Sequence, residues 1–311
     1  MVISFVGILL TLPSCQTATH KNSGPQVEAP PPNLSPQDHS FPQTLPQTSI
    51  PQIGKVLPVG VFLGPGAMRA YAHIGVLRAL QRAQIPIVAI GGMEWGSIIG
   101  ASFALSKAAN GVEWEMMKLK KDQLPSSGLL NGGLQPKDPQ ELFNFLSTSF
   151  GTKDLGSGNI PFRCSTTDGD QVELISQGKA REQLVKCAVL PPLFSFYQRA
   201  GKNYISGALS PADWPTEFRK LGVQFIIYVD VISSGPFMTD KNYSGNSELK
   251  ALWLAVRGIS KQQHLFANLT IEVPMDMDLS DYDHRREAVI QGEQTATKFL
   301  PYLEKTIGMQ N

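Results

Sequence analysis

Two short stretches of this chain have the spacing of a nucleophilic site, with unexpected side chains in the reacting positions. Gly92-Met93-Glu94-Trp95-Gly96 follows the Gly-x-Ser-x-Gly frame, in which a serine on a strained strand-to-helix turn attacks a carbonyl carbon. The central residue here is Glu94. A carboxylate is a usable nucleophile toward glycosides or phosphoryl groups. Toward a carboxylic ester it is poor, because attack yields an anhydride rather than a stable acyl intermediate. The second stretch is Ser206-Gly207-Ala208, where a hydroxyl cannot take up a proton at neutral pH without a base of its own. No cluster of side chains has metal-ligand spacing, so no metal and no other cofactor is expected.

The elements that must position these residues are legible from periodicity. Ile85–Ile90 is an apolar run with the length of a buried strand, and Ser97–Leu105 reads as the first turns of a tightly packed helix. Gly92 and Gly96 suit a turn in which backbone passes close to backbone. Elsewhere, strands are expected at 56–63, 161–166, 171–175, 203–205, 223–231 and 269–273. Helices are expected at 69–82, 112–122, 139–149, 180–189, 213–221, 249–265 and 285–306. Thr167-Asp168-Gly169-Asp170 is a hairpin turn, and Leu142, Phe143, Leu146 and Phe150 mark a core-facing stripe. Alternating strands and helices predict an α/β fold with a mostly parallel sheet covered by helices on both faces.

Composition narrows the setting. Of 311 residues, 42% are hydrophobic and 17% charged, enough for a sizeable core, and a net charge of +1 with no basic run argues against a nucleic-acid partner. Val2–Leu10 is apolar but too short to span a bilayer, and Leu12-Pro13-Ser14-Cys15 resembles a bacterial lipobox. Residues 1–14 are then a signal peptide, and lipidated Cys15 anchors the chain. The absence of aspartate after it resembles lipoproteins sorted to an outer membrane, facing the periplasm or exported. No Lys or Arg precedes the apolar run, which departs from the usual signal. Eight prolines between Pro25 and Pro51 make residues 15–54 a tether, spanning about 110 Å if fully extended in polyproline geometry. The domain proper is 55–311. Cys164 and Cys187 read as two separate buried thiols; a disulfide requires export and a contact that sequence does not reveal.

The order of these segments resembles the patatin-like phospholipase family. Leu63–Leu77 is similar to its glycine-rich oxyanion loop and first helix, with Arg69 at the arginine position and Ala72-His73-Ile74-Gly75-Val76-Leu77 continuing the likeness. Ala188–Phe194, Tyr204–Ala208 and Leu221–Val231 follow in the family's order. The resemblance implies a three-layer patatin-like fold with a nucleophile elbow at Gly92, Glu94 and Gly96. It also implies an oxyanion loop at Gly66, Ala67, Met68 and Arg69, and a serine–aspartate dyad acting on lipid esters. By position, Glu94 replaces that serine and Ser206 that aspartate. Three loop glycines are replaced by Pro65, Ala67 and Ala70. Proline lacks an N–H donor and alanine resists positive φ, so a spoiled loop is expected.

Joint loss of nucleophile, base and loop predicts an inactive member of the fold that works by binding, with a lipid or acyl chain or a protein as partner. In that reading Glu94 is a structural carboxylate at a helix N-terminus, paired with Arg69 and accepting a hydrogen bond from Ser206. His73 packs on a helix face, and Asp168 and Asp230 sit in a turn and at a strand end. The competing readings are an acyl hydrolase using Ser206 as nucleophile with Glu94 as base, and an interaction module whose cleft has closed. Restoring the dyad with Glu94→Ser and Ser206→Asp is expected to recover little activity, because the loop remains altered.

Overall fold

The central strands are the most apolar runs in the chain, and they stack side by side. β1 (Val59–Leu63) lies between β2 (Ile87–Gly92) and β7 (Phe225–Asp230), parallel to both. β8 (Leu269–Glu272) extends the sheet parallel to β7, and β3 (Phe162–Asp168) runs parallel to β2. Beyond β3 the pairing turns antiparallel, with β4 (Gln171–Ile175), β6 (Lys202–Ser206) and β5 (Tyr197–Arg199). The order is β5-β6-β3-β2-β1-β7-β8, with β4 paired to β3 off that path. This computed structural model describes residues 56–125, 136–235 and 247–309; Cys15 and the proline-rich segment lie outside the described residues. The described residues belong to one compact unit, Pro51–Asn311.

Helices cover both faces, as a parallel sheet requires. One core layer joins β1 to α1 (Ala72–Arg82), α2 (Trp95–Ser106), α3 (Ala109–Met116), α4 (Pro139–Phe150), α5 (Ala180–Ala188) and α8 (Arg285–Ile307). The other joins Phe62 and Tyr228 to α6 (Trp214–Lys220) and α7 (Ser247–Gln263), with the Phe62 and Trp214 rings stacked at 4.1 Å. α2 is apolar all round and correspondingly buried. α4 starts with Asp138 accepting from the Gln140 N–H and Pro139 in its first turn, the usual start signal.

Most expected elements are present, and the exceptions have physical reasons. β5 has no counterpart in the periodicity because its three residues are half-buried or exposed. The third helix begins at Ala109 and ends at Met116, earlier than expected at both ends, and a separate 3-10 turn occupies Lys121–Gln123. In α4 the core stripe is Leu142, Phe145, Leu146 and Phe150, with Phe143 at its margin. The reading of Cys164 and Cys187 as separate thiols is corrected: they form a disulfide with Cα atoms 6.1 Å apart. α5 packs on β3, where Thr166 Oγ1 donates to the Lys186 carbonyl at 3.0 Å, so residues 23 apart in sequence meet through a tertiary contact.

The disulfide constrains the unfolded chain by closing a loop of that length, a stabilisation of about 3 kcal/mol. The Cys164→Ala/Cys187→Ala double variant is therefore expected to lose about 2–4 kcal/mol in urea denaturation. A midpoint unchanged from the wild type would show that the bridge constrains nothing.

Candidate functional site

β1 and β2 end side by side, and each continues into a loop that turns back over the sheet. After β2, Glu94 adopts φ 51 and ψ −131 immediately before α2, the strained geometry of an elbow. The flanking glycines are dictated by contact: a Cβ on Gly92 would lie 2.5 Å from the Gly96 carbonyl, and one on Gly96 2.6 Å from the Gly64 oxygen. After β1, the loop Gly64–Gly66 enters a 3-10 turn at Ala67–Tyr71. That turn is fixed by Met68 N–H donating to Leu279 O and Arg69 N–H to Gly66 O, both at 2.9 Å.

The two loops meet at one oxygen. Glu94 Oε2 accepts from the Gly66 N–H at 3.0 Å and the Ala67 N–H at 2.9 Å. Two backbone donors converging on one point have the geometry of an oxyanion hole, and here the point is the Glu94 carboxylate. The expectation of a spoiled loop is corrected here. Pro65 has no N–H to offer, but the converging donors are the next two residues, so the pair is intact. Ala67 adopts φ 45 despite its side chain, at a cost of about 1–2 kcal/mol.

The remaining site residues take up positions around that contact. Ser206, at the end of β6, was expected to donate to the Glu94 carboxylate. Instead its Oγ accepts from the Glu94 N–H at 3.2 Å and the Ala208 N–H at 3.3 Å. The Glu94 N–H also points at the Cys187 carbonyl, at 3.1 Å. Arg69 was expected to pair with Glu94; its Nε instead donates to the Met277 carbonyl at 2.7 Å. Ser97 Oγ donates to the Glu94 carbonyl at 2.6 Å, which holds it on the helix side of the turn. Glu94, Ser206, Arg69 and His73 are all buried.

Burial sets the proton affinities. It pushes the Glu94 carboxyl up to about 7, against the N–H groups of Gly66, Trp95 and Ala67, which favour the anion. His73 is driven down to about 4 by burial, so at neutral pH it is uncharged. Its Nε2 lies 2.9 Å from the Gly64 carbonyl and must carry the proton. Around Asp230, burial raises the carboxyl but is outweighed by hydrogen bonds from His264, Ser233 and the Ile232 N–H, leaving it at about 2. His264 Nε2 is 2.7 Å and Ser260 Oγ 2.9 Å from Asp230 Oδ2. Asp230 is the strand-end residue expected, but its network was missed. The four-residue spacing of Ser260, in the last turn of α7, and His264, at the start of the 3-10 turn that follows it, was the available signal. Among the described residues no group of three or more His, Cys, Asp or Glu side chains is placed to hold a metal.

A strand, a strained turn and a helix facing two converging N–H donors define an elbow-bearing α/β fold. The Patatin family profile, described as patatin-like phospholipase, matches residues 61–216, and the chain belongs to that family. Lysophospholipase NTE1 of Pyricularia oryzae is 28% identical over 215 residues, covering 64% of this chain and 13% of that protein. Neuropathy target esterase sws of Drosophila melanogaster is 26% identical over 216 residues, covering 63% and 14%. The chain thus spans a small fraction of the curated relatives it matches. Among solved structures, VipD from Legionella pneumophila shares the fold with a TM-score of 0.50 at 12% identity, covering 79% of this chain and 67% of that one.

The pKa values give opposed pH dependences. Between about 4.5 and about 7 the folded chain holds the Glu94 proton that the unfolded chain releases, so stability falls as pH rises through that window, by about 3 kcal/mol in all. Between about 4 and 6.5 the unfolded chain takes up the His73 proton that the folded chain refuses, so stability rises with pH by a similar amount. Glu94→Gln keeps an acceptor oxygen and removes the first slope. Its stability relative to wild type is expected to grow by about 3 kcal/mol from pH 4.5 to above 7, measured by denaturation across that range. A difference that does not vary with pH would contradict the assigned burial.

Proposed function

We propose that this chain is a catalytically silent member of the patatin-like family that acts by binding lipid or protein at a bacterial membrane. The observation that carries this reading is the Glu94 carboxylate in the hole formed by the Gly66 and Ala67 N–H groups, at 3.0 and 2.9 Å. That position is where an ester's developing oxyanion would be stabilised. A carboxylate fixed there blocks it, and Glu94 at the elbow offers no acyl-transfer nucleophile. The names of the relatives, lysophospholipase and neuropathy target esterase, favour a phospholipid or lysophospholipid as the ligand class.

Lipidation of Cys15 is the anchor in this reading, placing the domain at the outer membrane on its proline-rich tether. The Cys164–Cys187 disulfide supports export, because such bonds persist in oxidising compartments. Among the described residues no helix is long and apolar enough to cross a membrane.

The competing reading makes Ser206 the nucleophile and Glu94 its base. It requires the serine hydroxyl to face the carboxylate, whereas Ser206 Oγ accepts from the Glu94 and Ala208 N–H groups and the carboxylate is engaged in the hole. Wild-type protein is expected to hydrolyse short- and long-chain acyl esters no faster than Glu94→Ala. Turnover that Ser206→Ala abolishes would overturn the silent reading. Because the donor pair persists, Glu94→Ser/Ser206→Asp is now expected to gain turnover, roughly 10²-fold over wild type. No gain would mean that two aligned donors are insufficient in this loop.

A further inference from the structure

Lys250, Leu254, Gly258, Lys261 and Leu265 follow one another at steps of four, four, three and four residues. They therefore share one stripe along α7 and the 3-10 turn His264–Phe266 that continues it. All five are exposed, with Leu254 at 52% and Leu265 at 84%. The opposite side of the helix is fully used: Leu249, Trp253 and Val256 pack into the core layer that contains Trp214 and Tyr228. A helix needing only that inner face has no use for large apolar side chains outside. Phe266, next to Leu265, is only half exposed, because its ring packs edge-on against Trp214 of that inner layer. A Cβ added at Gly258, in the middle of the stripe, would meet no atom within 4 Å.

The lysines indicate what this face meets. Each stands one turn before an exposed leucine, and neither forms an ion pair among the described residues. The stripe carries no carboxylate, so a second copy of it would leave every lysine unmatched. A surface that is anionic outside and apolar beneath satisfies both side-chain types at once. The two leucines enter the boundary between headgroups and acyl chains, while lysine stems lie along it with their ammonium groups at the phosphates. We propose that this stripe docks the domain on an anionic phospholipid bilayer. The contact is independent of lipidation at Cys15 and of what Glu94 does, and it would fix which side of the tethered domain faces the membrane.

The test uses the full chain with Cys15→Ser, so that no lipid anchor contributes. Sedimentation is measured with vesicles of phosphatidylcholine alone and with added phosphatidylglycerol. Binding is expected only with the anionic lipid, to weaken as NaCl is raised, and to fall about tenfold or more in Leu254→Glu/Leu265→Glu and in Lys250→Glu/Lys261→Glu. Leu254→Ser/Leu265→Ser repeats the test without added charge, and thermal unfolding checks that each variant is folded. Partition equal to wild type in the folded leucine variants would overturn the proposal. So would an absence of binding, or a dimer in solution that those variants dissolve, which would assign the face to a second copy.

Discussion

A single carboxylate oxygen, accepting from two backbone N–H groups, links the loops that leave the two central strands β1 and β2. Those loops contain two of the non-glycine residues held at positive φ, Ala67 at 45° and Glu94 at 51°, each a conformation that is costly on its own. The hydrogen bonds from Gly66 and Ala67 to Glu94 Oε2 join the two strained points, so neither loop relaxes without breaking a buried contact. Charge-assisted bonds of this kind contribute about 1.5–3 kcal/mol each, which offsets the local strain. Burying the carboxylate has its own cost, expressed as the upward shift of its proton affinity to about 7.

The layers behind the contact keep it in register. The Glu94 N–H points to the Cys187 carbonyl and to Ser206 Oγ, and Cys187 is bonded to Cys164, the residue paired with Gly92 of β2. The Ser206 N–H donates to the Val189 carbonyl at 2.6 Å. Elbow, disulfide and the start of the Ser206 turn thus form one hydrogen-bonded and covalent block. His73 closes the other side by bonding the Gly64 carbonyl. In the proposed reading, donors suited to a developing oxyanion serve instead in a closed set of internal contacts.

How much of this was legible in the sequence depended on the range of the interaction. The elbow was readable because Gly92 and Gly96 stand in one short frame, although Gly96 answers to the distant Gly64 backbone, and β1, β2 and β7 because they are unbroken apolar runs. The family likeness rested on several motifs in order, and the profile match bears it out. The partner of Glu94 was not readable. Arg69 is the obvious counter-charge, yet the loop's own N–H groups carry no side-chain signature. The same blindness hid the disulfide and the Asp230–His264 network, whose members meet only through packing. Judging the loop by its missing glycines also failed, because a tertiary contact imposes on Ala67 a conformation that propensity alone disfavours.

The most direct measurement is the amide-proton NMR of Gly66 and Ala67 as a function of pH. A carboxylate bonded to both must shift both signals downfield when it ionises. The account predicts a common titration midpoint near 7, absent in Glu94→Gln. Signals that do not titrate, or that titrate identically in that variant, would contradict an oxyanion hole filled by the chain's own glutamate.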